Sequence, residues 1–184
     1  MTRLCCAVAS ALCGGAASGA HVLVLASGDP TLDDLIVQVL EAGGHTVAIG
    51  PDYVTFNGSG LGGVDAVYLQ PNFLWNSGDM PLAGQAALRD YIDAGGGLVT
   101  AEWTIWKVAG QMSFQTLAET FPALPTQSYT TTTTATFRVA TPDPVLTAGV
   151  PSEFTFLVTS FAGTETFLEP RPSARVFFDS LGHA

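Results

Sequence analysis

Three consecutive glycines, Gly95, Gly96 and Gly97, divide a segment of helical period from a short apolar run, and that junction constrains the fold more than any other part of the chain. Upstream, Leu82, Ala86, Leu88, Tyr91 and Ile92 recur at helical spacing, which predicts a helix from about Pro81 to Asp93. Glycine ends helices cheaply because it tolerates the left-handed backbone. Downstream, Leu98 to Glu102 reads as a strand. A helix that turns sharply into a buried strand is the second half of a β-α-β unit, whose strands are parallel and covered on both faces.

The first half of the chain supplies the rest of that pattern. His21 to Ala26 is a continuous apolar run rich in branched residues, as a strand buried on both faces requires. Ser27-Gly28-Asp29-Pro30-Thr31 carries helix-start chemistry, and Leu32, Leu35, Ile36, Val39 and Leu40 form the apolar face of a helix that stops at Gly43-Gly44. Strands are predicted at His45 to Ile49 and Asp65 to Gln70, with a loop from Pro71 to Asp79. The order β-α-β-β-α-β implies a parallel sheet with right-handed crossovers and strand order 2-1-3-4. The second half is β-rich. Its threonine run, Thr130 to Thr134 and Thr136, predicts an exposed strand leading into Phe137-Arg138-Val139. Pro142 to Pro151 reads as a loop with one helical turn, and short strands are predicted at Glu153 to Val158, Glu165 to Leu168 and Ala174 to Phe178.

Residues 1–20 read as a secretory signal: a basic start at Arg3, an apolar run from Leu4 to Leu12, and small residues Ser18-Gly19-Ala20 before the cleavage point. The run is shorter than the roughly 20 residues that span a bilayer, so no stable membrane insertion is expected after cleavage. A lipoprotein reading would use Cys13, against the bulky Leu12 before it. All three cysteines, Cys5, Cys6 and Cys13, lie in this segment, so the mature chain from His21 would hold no thiol. Disulfides, thiolate metal sites and cysteine nucleophiles are then excluded together. About 164 residues remain in 21–184, enough for one core and one domain. Loss of Arg3 leaves 5 basic against 16 acidic residues. Nucleic acid is therefore excluded as a partner, since phosphate binding needs clustered Lys and Arg. Oligomeric state is not legible.

Three stretches in this order resemble the class I glutamine amidotransferase-like superfamily, especially its trehalose-utilisation-like and secreted branches. They are Val22-Leu23-Val24-Leu25 opening onto a Gly-Asp turn, Leu88 to Val99 with the triple glycine, and Asp143 to Pro151. The resemblance implies a flavodoxin-like three-layer α/β sandwich with a mainly parallel central sheet. It also implies a nucleophilic Cys in the turn after the strand that follows the triple glycine, with a His and an acid supplied later. That position holds Glu102. Of the three histidines, His21 and His45 begin strands and His183 is penultimate, so no triad base is placed and amidotransferase hydrolysis is not carried over. Ala174 to Asp179 resembles a strand that relatives follow with further strands and a closing helix, so the resemblance implies the expectation of a domain that continues beyond its C-terminal end here.

In open α/β sheets ligands gather beyond the carboxyl ends of the strands. Glu102 stands there, either as general base or nucleophile at a helix start, or as a carboxylate that merely caps that helix. Trp75, Trp103 and Trp106 come from two loops at the same end and offer an aromatic wall for a small molecule or sugar ring, or simply pack. Asn72, Asn76 and Asp79 add polar groups or form turns. Gly28 and Asp29 occupy the first strand-to-helix loop, where capping of helix 1 competes with ligand binding. Asp33 and Asp34 read as a solvated face. No paired His spacing accompanies the acids, so no metal and no cofactor is expected, with loop calcium the open alternative. The leading expectation is a secreted or periplasmic binding or accessory module. Its rivals are a hydrolase using Glu102 and an interaction domain of a surface assembly. The leader predicts that Edman sequencing of exported material starts at or near His21 and that a thiol assay reads zero; an intact Met1 or a lipid on Cys13 contradicts export by cleavage.

Overall fold

The computed structural model describes residues 19–131, 134–157 and 164–181. The leader, its three cysteines and His183 lie outside the described residues. No helix among the described residues is long and apolar enough to cross a membrane.

The first half is a four-stranded parallel sheet in the order β2-β1-β3-β4, from β1 (His21–Ala26), β2 (Thr46–Asp52), β3 (Ala66–Leu69) and β4 (Gly97–Thr100). This is the predicted order. Helix α1 (Pro30–Ala42) connects β1 to β2, and α2 (Leu82–Asp93) connects β3 to β4. The two crossovers run in opposite directions along the sheet, so right-handedness puts the helices on opposite faces and makes three layers. Leu23, Leu25, Val67 and Leu69 point to the α2 face. There they join Leu88, Ile105, Phe114, Leu117 and Phe121 in one core.

The triple glycine serves this packing through geometry. Gly95 takes φ +99°, a left-handed turn that ends α2. A Cβ on Gly96 would sit 2.2 Å from the Tyr91 ring, so the bare backbone lets that ring lie flat over the turn. The Tyr91 hydroxyl then donates to the Val64 carbonyl at 3.2 Å.

On the other face the expectation for helix 1 needs correction. Leu32, Ile36 and Leu40 are half-buried, but Leu35 and Val39, predicted to pack with them, are 55% and 64% exposed. The packed stripe runs through Leu32, Asp33, Ile36, Val37 and Leu40 instead, turned away from Leu35 and Val39, with α1 lying over β1 and β2 at the margin of the sheet. Asp33, read as part of a solvated face, is buried instead. Both its oxygens accept from the Ser27 N–H, at 3.1 and 3.2 Å, clamping the end of β1 to the start of α1.

Beyond β4 the chain forms α3 (Glu102–Gly110) and a β-rich half. Glu102, expected to end the strand, is the first residue of α3. Strands β5 (Ala123–Leu124) and β6 (Tyr129–Thr131) pair antiparallel with β10 (Glu169–Pro170) and β9 (Thr164–Thr166). Strand β7 (Thr134–Val139) lies between β8 (Glu153–Leu157) and β11 (Phe178–Ser180). The threonine run therefore feeds two sheets rather than one strand. The strand expected at Ala174 to Phe178 begins only at Phe178, because Pro172 opens a turn in which the Ala174 N–H donates to the Arg171 carbonyl at 2.9 Å.

Arg171 holds the end of β10 to the main core. Its guanidinium donates to the carbonyls of Phe121 at 3.0 Å and Ala118 at 2.9 Å and pairs with Glu119. Arg171→Met should therefore lower unfolding free energy by about 1–3 kcal/mol, the range for lost hydrogen bonds to a charged group. Arg89→Ala, which removes only an exposed pair with Asp90, should cost less than about 0.5 kcal/mol. Urea titrations of both variants check this, and equal losses would deny Arg171 its anchoring role.

Candidate functional site

Three segments meet at the carboxyl edge of the parallel sheet: the 27–29 loop after β1, the 71–79 loop after β3, and the start of α3 after β4. Their positions follow from the sheet, and their shapes from local chemistry. In the first loop Asp29 is the N-cap of α1, accepting from the N–H groups of Thr31 at 3.0 Å and Leu32 at 3.4 Å. Gly28 has φ +81°, and a Cβ there would press the Leu74 side chain at 3.0 Å. Both residues thus have structural tasks: one fills the amino end of α1 with a carboxylate, and the other admits the 71–79 loop.

That second loop begins with a short 3-10 turn at Asn72–Leu74, in which Asn72 has φ +33° and its carbonyl accepts from the Trp75 N–H at 3.0 Å. Asn76 is exposed. Asp79 accepts from the N–H groups of Met80 at 2.8 Å and Phe114 at 2.9 Å and from the Gln85 amide at 2.9 Å. Gln85 accepts in turn from the Thr116 N–H at 3.0 Å. Asp79 is thus a hub that joins the loop to the 112–116 segment.

The three tryptophans expected to share one end of the sheet do so. Trp75 lies 5.5 Å from Trp103 and 5.5 Å from Trp106, and Trp103 lies 5.6 Å from Trp106, each between ring centres. A fourth ring was not anticipated: Tyr129 of β6 lies 6.3 Å from both Trp103 and Trp106. The tryptophans are half-buried and Tyr129 is 57% exposed, so the cluster presents an aromatic surface rather than a sealed core. The Trp106 indole N–H is buried without a hydrogen-bond partner.

Glu102 adjoins this cluster at the first helical position of α3, where the positive end of the helix dipole favours a carboxylate. Ala101 before it offers no side-chain cap. His21 and His45 lie at the opposite, amino end of the sheet, hydrogen-bonded to the Gly63 carbonyl at 3.2 Å and the Ala20 N–H at 3.1 Å. Among the described residues, no group of three His, Cys, Asp or Glu side chains is gathered to hold a metal ion.

The residue that sequence reasoning missed is Lys107. Fully buried, it donates from Nζ to the Trp75 carbonyl at 2.7 Å and to Gln111 Oε1 at 2.6 Å. The same nitrogen lies 4.8 Å from the centre of the Trp75 ring and 5.7 Å from that of Tyr53. The Tyr53 hydroxyl donates to the Leu74 and Gly78 carbonyls at 2.6 and 3.2 Å. The 71–79 loop is thereby tied down at three of its carbonyls. A signal was available: Lys107 is the sole lysine of the chain and stands inside the apolar run Ile105-Trp106-Lys107-Val108.

Two solved structures are similar to the chain. One is a GMP synthase subunit protein from Thermoplasma acidophilum, with TM-score 0.51 and 17% identity over 89% of this chain and 74% of that one. The other is a ThuA-like protein from Bacteroides uniformis, with TM-score 0.57 and 12% identity over 90% of this chain and 70% of that one. Both have the class I glutamine amidotransferase-like fold, and at such identities the likeness extends to the fold alone. No protein-family model and no curated protein matches the chain.

Burial pushes the Lys107 ammonium down from 10.5 to about 8, with Asp79 opposing the shift. Burial, with Asp79 and Asp52, pushes the Tyr53 hydroxyl up to about 12. Between pH 8 and 10.5 the unfolded chain binds a proton at this lysine that the folded chain lacks, so stability rises with pH. From pH 10 the folded chain keeps a Tyr53 proton that the unfolded chain loses, and stability falls again. A neutral amine retains two N–H donors, so both lysine hydrogen bonds survive deprotonation. The wild type should therefore gain on the order of 1 kcal/mol per pH unit over Lys107→Met between pH 8 and 10. Urea melts at several pH values test it; a flat difference would mean the ammonium stays protonated.

Proposed function

We propose that the chain is an exported binding or accessory domain on the amidotransferase fold, with its ligand site at the carboxyl edge of β1, β3 and β4 and without glutamine hydrolysis. The observation that carries this reading is the half-exposed cluster of Trp75, Trp103 and Trp106 directly beside Glu102. Aromatic surfaces recognise small molecules with apolar faces, sugar rings among them. In the resemblance, the position of Glu102 belongs to a cysteine nucleophile. General acid-base catalysis at Glu102 needs a second tuned group. The nearest expectations for that group, Asp29 and Asp79, accept hydrogen bonds from backbone N–H groups instead. The leader-like residues 1–20 support export.

One observation favours a second reading, an interaction domain of a surface assembly. Leu35 and Val39, one turn apart on α1, and Ile49 on the edge strand β2 leave apolar area in solvent.

A substrate and ligand screen separates these readings from a hydrolase. Ammonia release from glutamine should be absent. Tryptophan fluorescence should shift with a small-molecule ligand, and Trp103→Ala should weaken that ligand tenfold or more. Glu102→Gln should leave the melting temperature unchanged and alter affinity at most. Turnover of chromogenic glycosides, esters or amides that falls on the order of 10²-fold in Glu102→Gln, with unchanged melting, would overturn the binding reading in favour of the hydrolase.

A further inference from the structure

The short ladders β5·β10 and β6·β9 are two parts of one antiparallel ribbon. Leu124 pairs with Glu169 and Tyr129 pairs with Thr166. Between those pairs one strand has four residues, 125–128, and the other has two, 167 and 168. The surplus forms a bulge, a feature that bends a strand and re-aims its side chains.

The bulge is built firmly. The Phe167 N–H donates to the Ser128 carbonyl at 3.1 Å, the Ser128 N–H to Thr126 Oγ1 at 3.0 Å, and the Gln127 amide to the Ala109 carbonyl of α3 at 2.7 Å. A groove of about 970 Å³ runs along it, lined by 124–129 of one strand and 167–170 of the other. That volume lies at the top of the range that holds a drug-sized ligand, so there is room for more than one ring. One end of the groove is Tyr129, whose ring also meets Trp103 and Trp106.

We propose that this groove binds a neutral oligosaccharide, one sugar ring stacking on Tyr129 and the chain running over the bulge towards Leu124. The proposal deepens the binding-domain reading and rests on it for the end that meets the tryptophans. The lining sets apolar groups, Leu124, Pro125 and Phe167, beside the polar groups of Thr126, Gln127, Ser128 and Glu169. Sugars present a matching mixture, C–H faces flanked by hydroxyls. Charge argues against an acidic glycan: Glu169 lines the groove, no Lys or Arg among the described residues does, and the whole chain carries a formal −10. An extended peptide fits less well. Adding a strand needs an unbroken row of N–H and C=O groups, whereas Pro125 and Pro170 lack donors and the bulge breaks the row.

The test is calorimetric titration of the full chain with gluco-, manno- and xylo-oligosaccharides of one to six units, with oligogalacturonate and an extended-peptide library as comparisons. At least one neutral series should bind, with affinity rising up to three or four units. Tyr129→Ala should weaken the longer members tenfold or more and shorten the length dependence. Tyr129 is largely solvated, so the melting temperature should hold; Glu169→Gln, also exposed, gives a second variant and should weaken binding two- to fivefold. The proposal is overturned by no binding across the three series, by oligogalacturonate or peptides binding more tightly, or by affinity unmoved in both variants. A monosaccharide lost in Trp103→Ala but indifferent to Tyr129→Ala, with no gain from added units, would leave the sheet-edge site standing and remove the groove. Length-dependent binding lost in Tyr129→Ala, beside Glu102-dependent turnover, would keep the groove and remove the non-enzymatic reading.

Discussion

The buried amine of Lys107 is the interaction on which the architecture of the sheet edge depends. Removing an ammonium from water is expensive unless its donors are met and its charge is balanced or lost. Here two short hydrogen bonds, the faces of Trp75 and Tyr53, and the nearby charge of Asp79 offset that cost, and its affinity for the proton falls. What the lysine fixes is the 71–79 loop, which has no regular partner strand of its own. Non-glycine residues with positive φ among the described residues are Asn72, Met112 and Phe114, and all three lie in the two segments that Lys107 and Asp79 join. Left-handed backbone at such residues persists only where surrounding contacts over-determine it. The Lys107 and Asp79 hydrogen bonds are those contacts.

The parallel sheet was legible because the central strand β1 is apolar on both faces and the connecting helices show a 3.6-residue period. Val22 to Leu25 and the Tyr91-to-Leu98 junction mark two β-α-β units, and the order β2-β1-β3-β4 agrees with right-handed crossovers between them. The second half lacked such constraints. Strands of two or three residues, such as Ala123–Leu124 and Glu169–Pro170, are too short to show any period. Threonine suits an extended chain on either side of a break, so Thr130 and Thr136 looked continuous while belonging to different sheets.

At the site the tryptophans were legible as residues but not as a cluster with Tyr129, because that contact joins segments 23 or more positions apart through a ribbon whose pairing was not foreseen. Lys107 was hidden by the opposite habit. A charged residue inside a helix is ordinarily read as solvent-facing, and only its three-dimensional partners reveal that this one is not. Asp33 misled in the same way, since a carboxylate that accepts from a backbone N–H at a strand end has the same sequence signature as one in water.

The acids of this edge share one further property. Asp29, Asp33 and Asp79 all accept from backbone N–H groups, two at the first strand-to-helix junction and one at the 71–79 loop. Carboxylates committed in this way hold loops in place. The loop that bears Trp75 is held by a buried lysine, a tyrosine hydroxyl and an aspartate hub, so the place of that ring in the cluster is set by the protein's own hydrogen bonds.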